Sequence, residues 1–100
     1  MKVAVYSFHQ FEQPYLEAAN QHRFEFVYLE AELNLQNAIL ARGCEAVMLF
    51  TSDDASAAVL EALHAEGVRY LALRTEGYNH VDLVKARKLG MRVARVTSYS

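Results

Sequence analysis

An α/β fold, a parallel sheet held between layers of helix, is what this sequence predicts. Short apolar runs of strand length alternate with stretches of helical period along the whole chain. The central run Ala46 to Phe50 is apolar on both faces, as a strand covered on both sides must be, and Val68 to Leu73 is a further apolar run. The composition agrees. With 53% hydrophobic residues, 22% charged residues and one proline, it belongs to a packed domain rather than a disordered segment.

Lys2 to Tyr6 is the first expected strand, and Ser7 to Gln10 the loop after it. Phe11 to Asn20 carries Phe11, Tyr15, Leu16, Ala18 and Ala19 at helical spacing, with Pro14 in the first turn, where a missing N–H costs little. Phe24 to Leu29 is dense in aromatic residues and reads as a strand at a sheet edge. Leu33 to Ala41 is expected to be a short helix with Leu35, Ala38 and Ile39 inward, stopped by Gly43. Ala46 to Phe50 is the third strand, and Ala55 to Ala65 a helix with Ala58, Val59, Ala62 and Leu63 as its stripe. Asp53 and Asp54 are read as caps of that helix rather than as metal or acid–base groups. Val68 to Leu73, Asp82 to Leu89 and Met91 to Val96 complete the pattern as strand, helix and strand.

Five strands joined by helices imply a flavodoxin-like, three-layer sandwich with strand order 2-1-3-4-5. That fold ordinarily ends in a helix after the last strand, and no such closing helix is present in the sequence. A chain of 100 residues is one domain, able to bury roughly two-thirds of its unfolded surface. Part of the sheet near Val3, Val5, Val47 and Leu49 is therefore expected to lie bare, and a homodimer is expected to cover it. The net charge of −2 gives no basic footprint for nucleic acid or an anionic membrane. No apolar run reaches membrane-spanning length. The lone Cys44 cannot form an internal disulfide and reads as a buried structural thiol, so a cytoplasmic location is expected.

The dinucleotide fingerprint G-x-G-x-x-G and the phosphate loop G-x-x-x-x-G-K-[ST] are both absent. A response-regulator receiver needs paired acids after the first strand, an aspartate ending the third and a lysine ending the fifth. Ser7 and Phe8, Phe50, and Arg95-Val96-Thr97 stand there instead. His22 and His64 read as surface residues, and no pair of His9, His22, His64 and His80 has metal-ligand spacing.

One stretch stands out: Arg74-Thr75-Glu76-Gly77-Tyr78-Asn79-His80-Val81-Asp82. It leaves the carboxyl end of an expected strand and enters a helix, the place where ligands bind in open α/β sheets. Gly77 permits close backbone approach, and Asp82 can cap the helix. Its pattern R-x-x-G-x-N-x-V-D resembles the substrate-domain loop of the D-isomer-specific 2-hydroxyacid dehydrogenases, in particular their D-lactate dehydrogenase branch. The likeness extends to Gly43-Cys44-Glu45-Ala46-Val47, to Gly67 through Arg74, and to Gly90 through Val96. Thr97-Ser98-Tyr99-Ser100 is similar to that family's V-P-x-Y-S-P hinge, with Thr97 in place of the first proline.

The resemblance implies a small 2-hydroxy or 2-keto acid as ligand, weakly held. Its carboxylate would sit on the backbone amides of Glu76 and Gly77, which as successive turn amides make an anion nest. Tyr99 would reach the substrate, and Phe50 would line the pocket by shape alone. Asn79 and Asp82 would support the loop. The catalytic arginine, acid and histidine of that family, and its NAD site, lie in a nucleotide-binding domain beyond the hinge. Residues 1–100 would then be a single substrate domain cut before that domain, with no catalytic, cofactor or metal residue of its own and no activity alone. The other reading is a standalone or engineered flavodoxin-like binding or scaffold module without catalysis.

Overall fold

A computed structural model describes residues 1–74 and 80–95. Strands β1 (Lys2–Val5), β2 (Glu25–Tyr28), β3 (Ala46–Leu49), β4 (Tyr70–Leu73) and β5 (Arg92–Arg95) form one parallel sheet. Its order is β2-β1-β3-β4-β5, as expected. Helix α1 (Gln13–Asn20) lies on one face, and α2 (Ala57–Ala65) and α3 (Leu83–Lys88) on the other, which makes the three layers.

The pleat sorts the core. Val3 and Val5 pair in register with Ala46 and Met48, and these four meet Leu16 of α1 together with Phe8. Ala4 and Tyr6 point the other way, with Val47, Leu49, Leu71 and Leu73, against Val59, Leu60 and Leu63 of α2 and Ala86 of α3. This corrects one expectation. Val3, Val5, Val47 and Leu49 are all buried, and the first two face the opposite layer from the last two. The open apolar surface lies farther out, in a groove of about 290 Å³ lined by Met1, Val3, Leu16, Phe24, Phe26 and Tyr70 among others.

Two helices differ from expectation. A 3-10 turn over Gln10–Glu12 precedes α1, and Phe11, Tyr15, Ala18 and Ala19 all face solvent, leaving Leu16 as the apolar anchor. The inward position of that turn is taken by Glu12, a carboxylate, instead of Phe11. The helix expected over 33–41 shrinks to a 3-10 turn, Ala38–Ala41, with Leu35 and Ile39 exposed. Asn34 and Asn37 are the cause. The Asn34 amide donates to Asn37 Oδ1 at 2.8 Å, and the Asn37 amide to Asn34 Oδ1 at 2.9 Å. Side chains that satisfy backbone donors locally remove the drive to form a helix.

Helix α2 begins at Ala57 with Ser56 as its N-cap, and its buried stripe is Val59, Leu60 and Leu63; Ala58 is exposed. Asp82 caps α3 as expected, its Oδ1 accepting from the Lys85 amide at 2.9 Å. The stop after α2 needs Gly67, whose φ of +103° is closed to ordinary side chains.

Candidate functional site

The carboxyl ends of β1, β3 and β4 converge where the strand order reverses, between β1 and β3. That reversal is the general ligand crevice of open α/β sheets. The residues leaving the strands there are Ser7 through His9, Phe50 through Asp53, and Arg74.

Arg74 ends an apolar strand, yet its side chain is wholly buried, at 0% exposure. It is satisfied by a fork of partners. Nε donates to Glu12 Oε2 at 2.8 Å and Nη2 to Glu12 Oε1 at 3.3 Å. Nη2 also donates to the Ser7 carbonyl at 3.0 Å, and Nη1 to the Met48 carbonyl at 3.3 Å. One guanidinium thus ties the exits of β1, β3 and β4 to the turn before α1. Its planar donors suit this, since an ammonium could not span two carbonyls and a carboxylate together.

Glu12 is 3% exposed. Burial alone would raise its carboxyl, but the hydrogen bond from Arg74, the His9 amide at 3.0 Å and the charge of Arg74 outweigh burial. The group is held below the ordinary carboxylate range. The His9 ring, half-exposed at 53%, approaches Glu12 Oε1 with Nδ1 at 3.3 Å.

Phe50 sits at the exit of β3, half-buried. The Arg74 guanidinium lies 5.5 Å from its ring centre, and the His9 ring meets it edge-on at 6.1 Å. A cation against an aromatic face is attracted by the ring quadrupole. Phe50 is therefore contacted on two sides, by Arg74 and by His9.

Asp53 does not cap α2, as the sequence suggested. It is buried and binds the neighbouring loops. Oδ1 accepts from Ser7 Oγ at 2.7 Å and from the Leu33 amide at 2.8 Å, while Oδ2 accepts from the Phe50 amide at 2.7 Å. Ser7 takes a left-handed φ of 53° at this junction. Asp54, one residue on, accepts from the Ser56 amide at 2.9 Å and so serves the entry to α2.

Of the residues expected to bind substrate, Phe50 is among the described residues and directly follows β3. Glu76, Gly77 and Tyr99 lie outside the described residues, as does the supporting Asn79. Both flanks of the 75–79 segment are fixed, by Arg74 on one side and by Val81, which bridges Ala55, on the other. Sequence reasoning missed Glu12, His9, Asp53 and the burial of Arg74. The available signals were an arginine closing an apolar strand and a glutamate at an inward helical position.

Nothing described fits a dinucleotide. Gly43, Gly67 and Gly90 each precede β3, β4 or β5, at the amino edge of the sheet. The described turns at the carboxyl edge, 7–10 and 50–53, contain no glycine to admit a pyrophosphate. Among the described residues no group of three or more metal-ligating side chains occurs. Cys44 is buried and unpaired, its thiol pushed up by burial.

Asp53→Asn tests the loop clamp. The isosteric amide keeps one acceptor but turns an N–H donor toward the Phe50 amide, leaving two buried donors facing each other. A loss of about 2–3 kcal/mol is expected in denaturant unfolding, with the slope unchanged. A change below about 0.5 kcal/mol would mean the carboxylate is not holding these loops.

Residues 3–100 match the family described as D-isomer specific 2-hydroxyacid dehydrogenase, catalytic domain. The chain is 46% identical to D-lactate dehydrogenase of Escherichia coli over 99% of its own length and 30% of the relative's. It superposes on the structure of Salmonella D-lactate dehydrogenase with a TM-score of 0.93 at 46% identity, covering all of this chain and 31% of that one. A further solved relative, the NAD-complexed D-isomer specific 2-hydroxyacid dehydrogenase of Lactobacillus delbrueckii ssp. bulgaricus, matches with a TM-score of 0.85 at 27% identity, covering all of this chain and 31% of that one. The chain spans about 30% of the length of the curated relatives it matches. It belongs to the D-isomer specific 2-hydroxyacid dehydrogenase family, and corresponds to part of that family's catalytic domain.

Proposed function

We propose that this chain is the substrate-binding domain of an NAD-dependent D-2-hydroxyacid dehydrogenase acting on D-lactate and pyruvate, in the cytoplasm. The observation that carries the reading is the 46% identity to a D-lactate dehydrogenase across 99% of the chain. The placement of Phe50 on the carboxyl edge of the sheet supports it.

In this reading the amides of Glu76 and Gly77 hold the substrate carboxylate. Tyr99 reaches the substrate, and Phe50, braced by Arg74 and His9, gives the pocket one apolar wall. Bound in another domain, NAD would accept or supply the hydride. This chain contributes binding and orientation, which raise the effective concentration of reactants without performing the transfer.

Amide chemical-shift titration of the 100-residue chain with oxamate, an unreactive pyruvate mimic, is the test. Glu76 and Gly77 should move first, with weak affinity on the order of millimolar, because half a pocket makes half the contacts. Purified chain with pyruvate should oxidise no NADH. Shifts confined to Ser7–Gln10 would contradict the carboxylate site, and turnover on the order of 1 per second would contradict a purely binding role.

The same reading gives the chain by itself a homodimer, relocated from the buried centre of the sheet to the open groove beside α1. Met1, Phe24 and Tyr70 stand exposed on its rim. Association would remove that apolar surface from water. Sedimentation velocity should show a dimer whose share rises with concentration. A monomer persisting at high micromolar concentration, without binding of an apolar dye, would reject the pairing.

A further inference from the structure

We propose that the β5 edge of the sheet is a docking surface for an extended acidic segment of another protein, which joins the sheet beside β5 as a further strand. The strand edge is open, a groove lies beside it, and positive charge surrounds both.

β5 ends the sheet order, so one side of its backbone has no neighbouring strand. The Arg92 amide donates to the Arg69 carbonyl at 3.0 Å, which turns the Arg92 backbone toward β4. Alternation along the strand then turns the Val93 amide and carbonyl away from the sheet. An edge of this kind is a template for another strand.

The side chains of β5 alternate as well. Val93 packs toward the layer of α2 and α3, while Arg92 and Ala94, in register with Tyr70 and Ala72, face the layer of α1. Between α3 and β5 lies a groove of about 370 Å³ lined by Leu83, Ala86, Arg87, Gly90, Met91 and Val93. Arg87 is the one charged residue in that lining. A strand laid beside Val93 would place every second side chain at this groove and the others beside Arg92. Apolar residues suit the first set and carboxylates the second.

Charge selects the partner. Residues 83–100 hold five of the chain's ten basic residues and none of its twelve acidic ones. Lys85 is engaged by Glu61 at 3.2 Å. Arg87, Lys88 and Arg92 are exposed and make no ion pair among the described residues. Charges on a strand edge discourage pairing, and here they discourage a second β5, because two copies would bring like charges together. An acidic strand turns the same charges into attraction, so the edge refuses its own copy and admits an anionic one. At the other edge of the sheet, β2 carries Glu25 and no basic residue.

The test is amide chemical-shift titration of the 100-residue chain with a capped peptide alternating Glu and Val, of about eight residues so that it spans β5. Two control peptides of the same length alternate Lys and Val, or Glu and Ser. The Glu–Val peptide should move the amides of residues 83–95 and slow hydrogen exchange at the outward Val93 amide. The Lys–Val peptide should leave these residues unmoved, and the Glu–Ser peptide should bind at least about threefold more weakly, since it offers the groove nothing apolar. Arg87→Glu/Arg92→Glu alters exposed side chains and should fold. Its affinity for the Glu–Val peptide should fall at least about fivefold. No shift in residues 83–95 at about millimolar peptide would overturn the proposal. So would equal binding of either control peptide, wild-type affinity in the variant, or shifts without protection of the Val93 amide. Shifts in residues 83–95 that grow with chain concentration in the absence of peptide would mean that a second copy takes the edge, and would overturn it too.

Discussion

A guanidinium buried among three strand exits is the constraint on which the carboxyl edge of this sheet depends. Leaving Arg74 unpaired in that interior would cost several kcal/mol, so the chain must deliver a carboxylate to it. Glu12 meets that demand, and meeting it dictates the geometry around it. The chain after β1 has to turn back at once, and it does so through a 3-10 turn that points Glu12 inward and leaves Phe11 in solvent. Ser7 adopts a left-handed backbone there, with its hydroxyl donating to Asp53 and its carbonyl accepting from Arg74. The two buried acids divide the work. Asp53 joins the loops after β1 and β3 to Leu33, and Glu12 joins the turn before α1 to β4.

The rest of the fold is ordinary hydrophobic patterning, and for that reason it was legible. Strand β3 announces itself by apolar residues on both faces and β4 by an apolar run, and the order of elements leaves few topologies. The misreadings have physical causes. Asn34 and Asn37 satisfy each other's amides, a pairing that periodicity cannot see, and the expected helix there contracts to one turn. Phe11 and Tyr15 sit at helical spacing, yet a buried salt bridge formed across 62 positions decides which side of that turn faces in. Asp53 sits beside a helix start and looks like a cap, but its partners, Ser7 and Leu33, are distant in sequence. Local patterns report local bonds. The candidate site is built from long-range ones, so only Phe50 and the loop's flanks could be placed beforehand.

Family membership and site geometry carry different weight. The match over residues 3–100 establishes kinship and fold. Shared ancestry says nothing about how the edge is kept rigid, and the structure supplies that account. Rigidity matters because the proposed ligand is small and offers one carboxylate to hold. A loop that wandered would pay an ordering cost comparable to the few kcal/mol such a ligand can return.

The most direct measurement is a double-mutant cycle on Glu12 and Arg74, followed by urea unfolding from neutral to acid pH. Glu12 has its folded-state pKa depressed, so its contribution is fully present above the ordinary carboxylate pKa. That contribution fades as pH falls through the lower folded value. Arg74→Met and Glu12→Leu should each cost about 3–5 kcal/mol at pH 7, because each strands a buried charge or donor set. The double variant should cost far less than their sum, and its stability should decline less steeply in acid than that of the wild type. Additive single effects, with an acid limb unchanged in the double variant, would contradict the central place given to this pair.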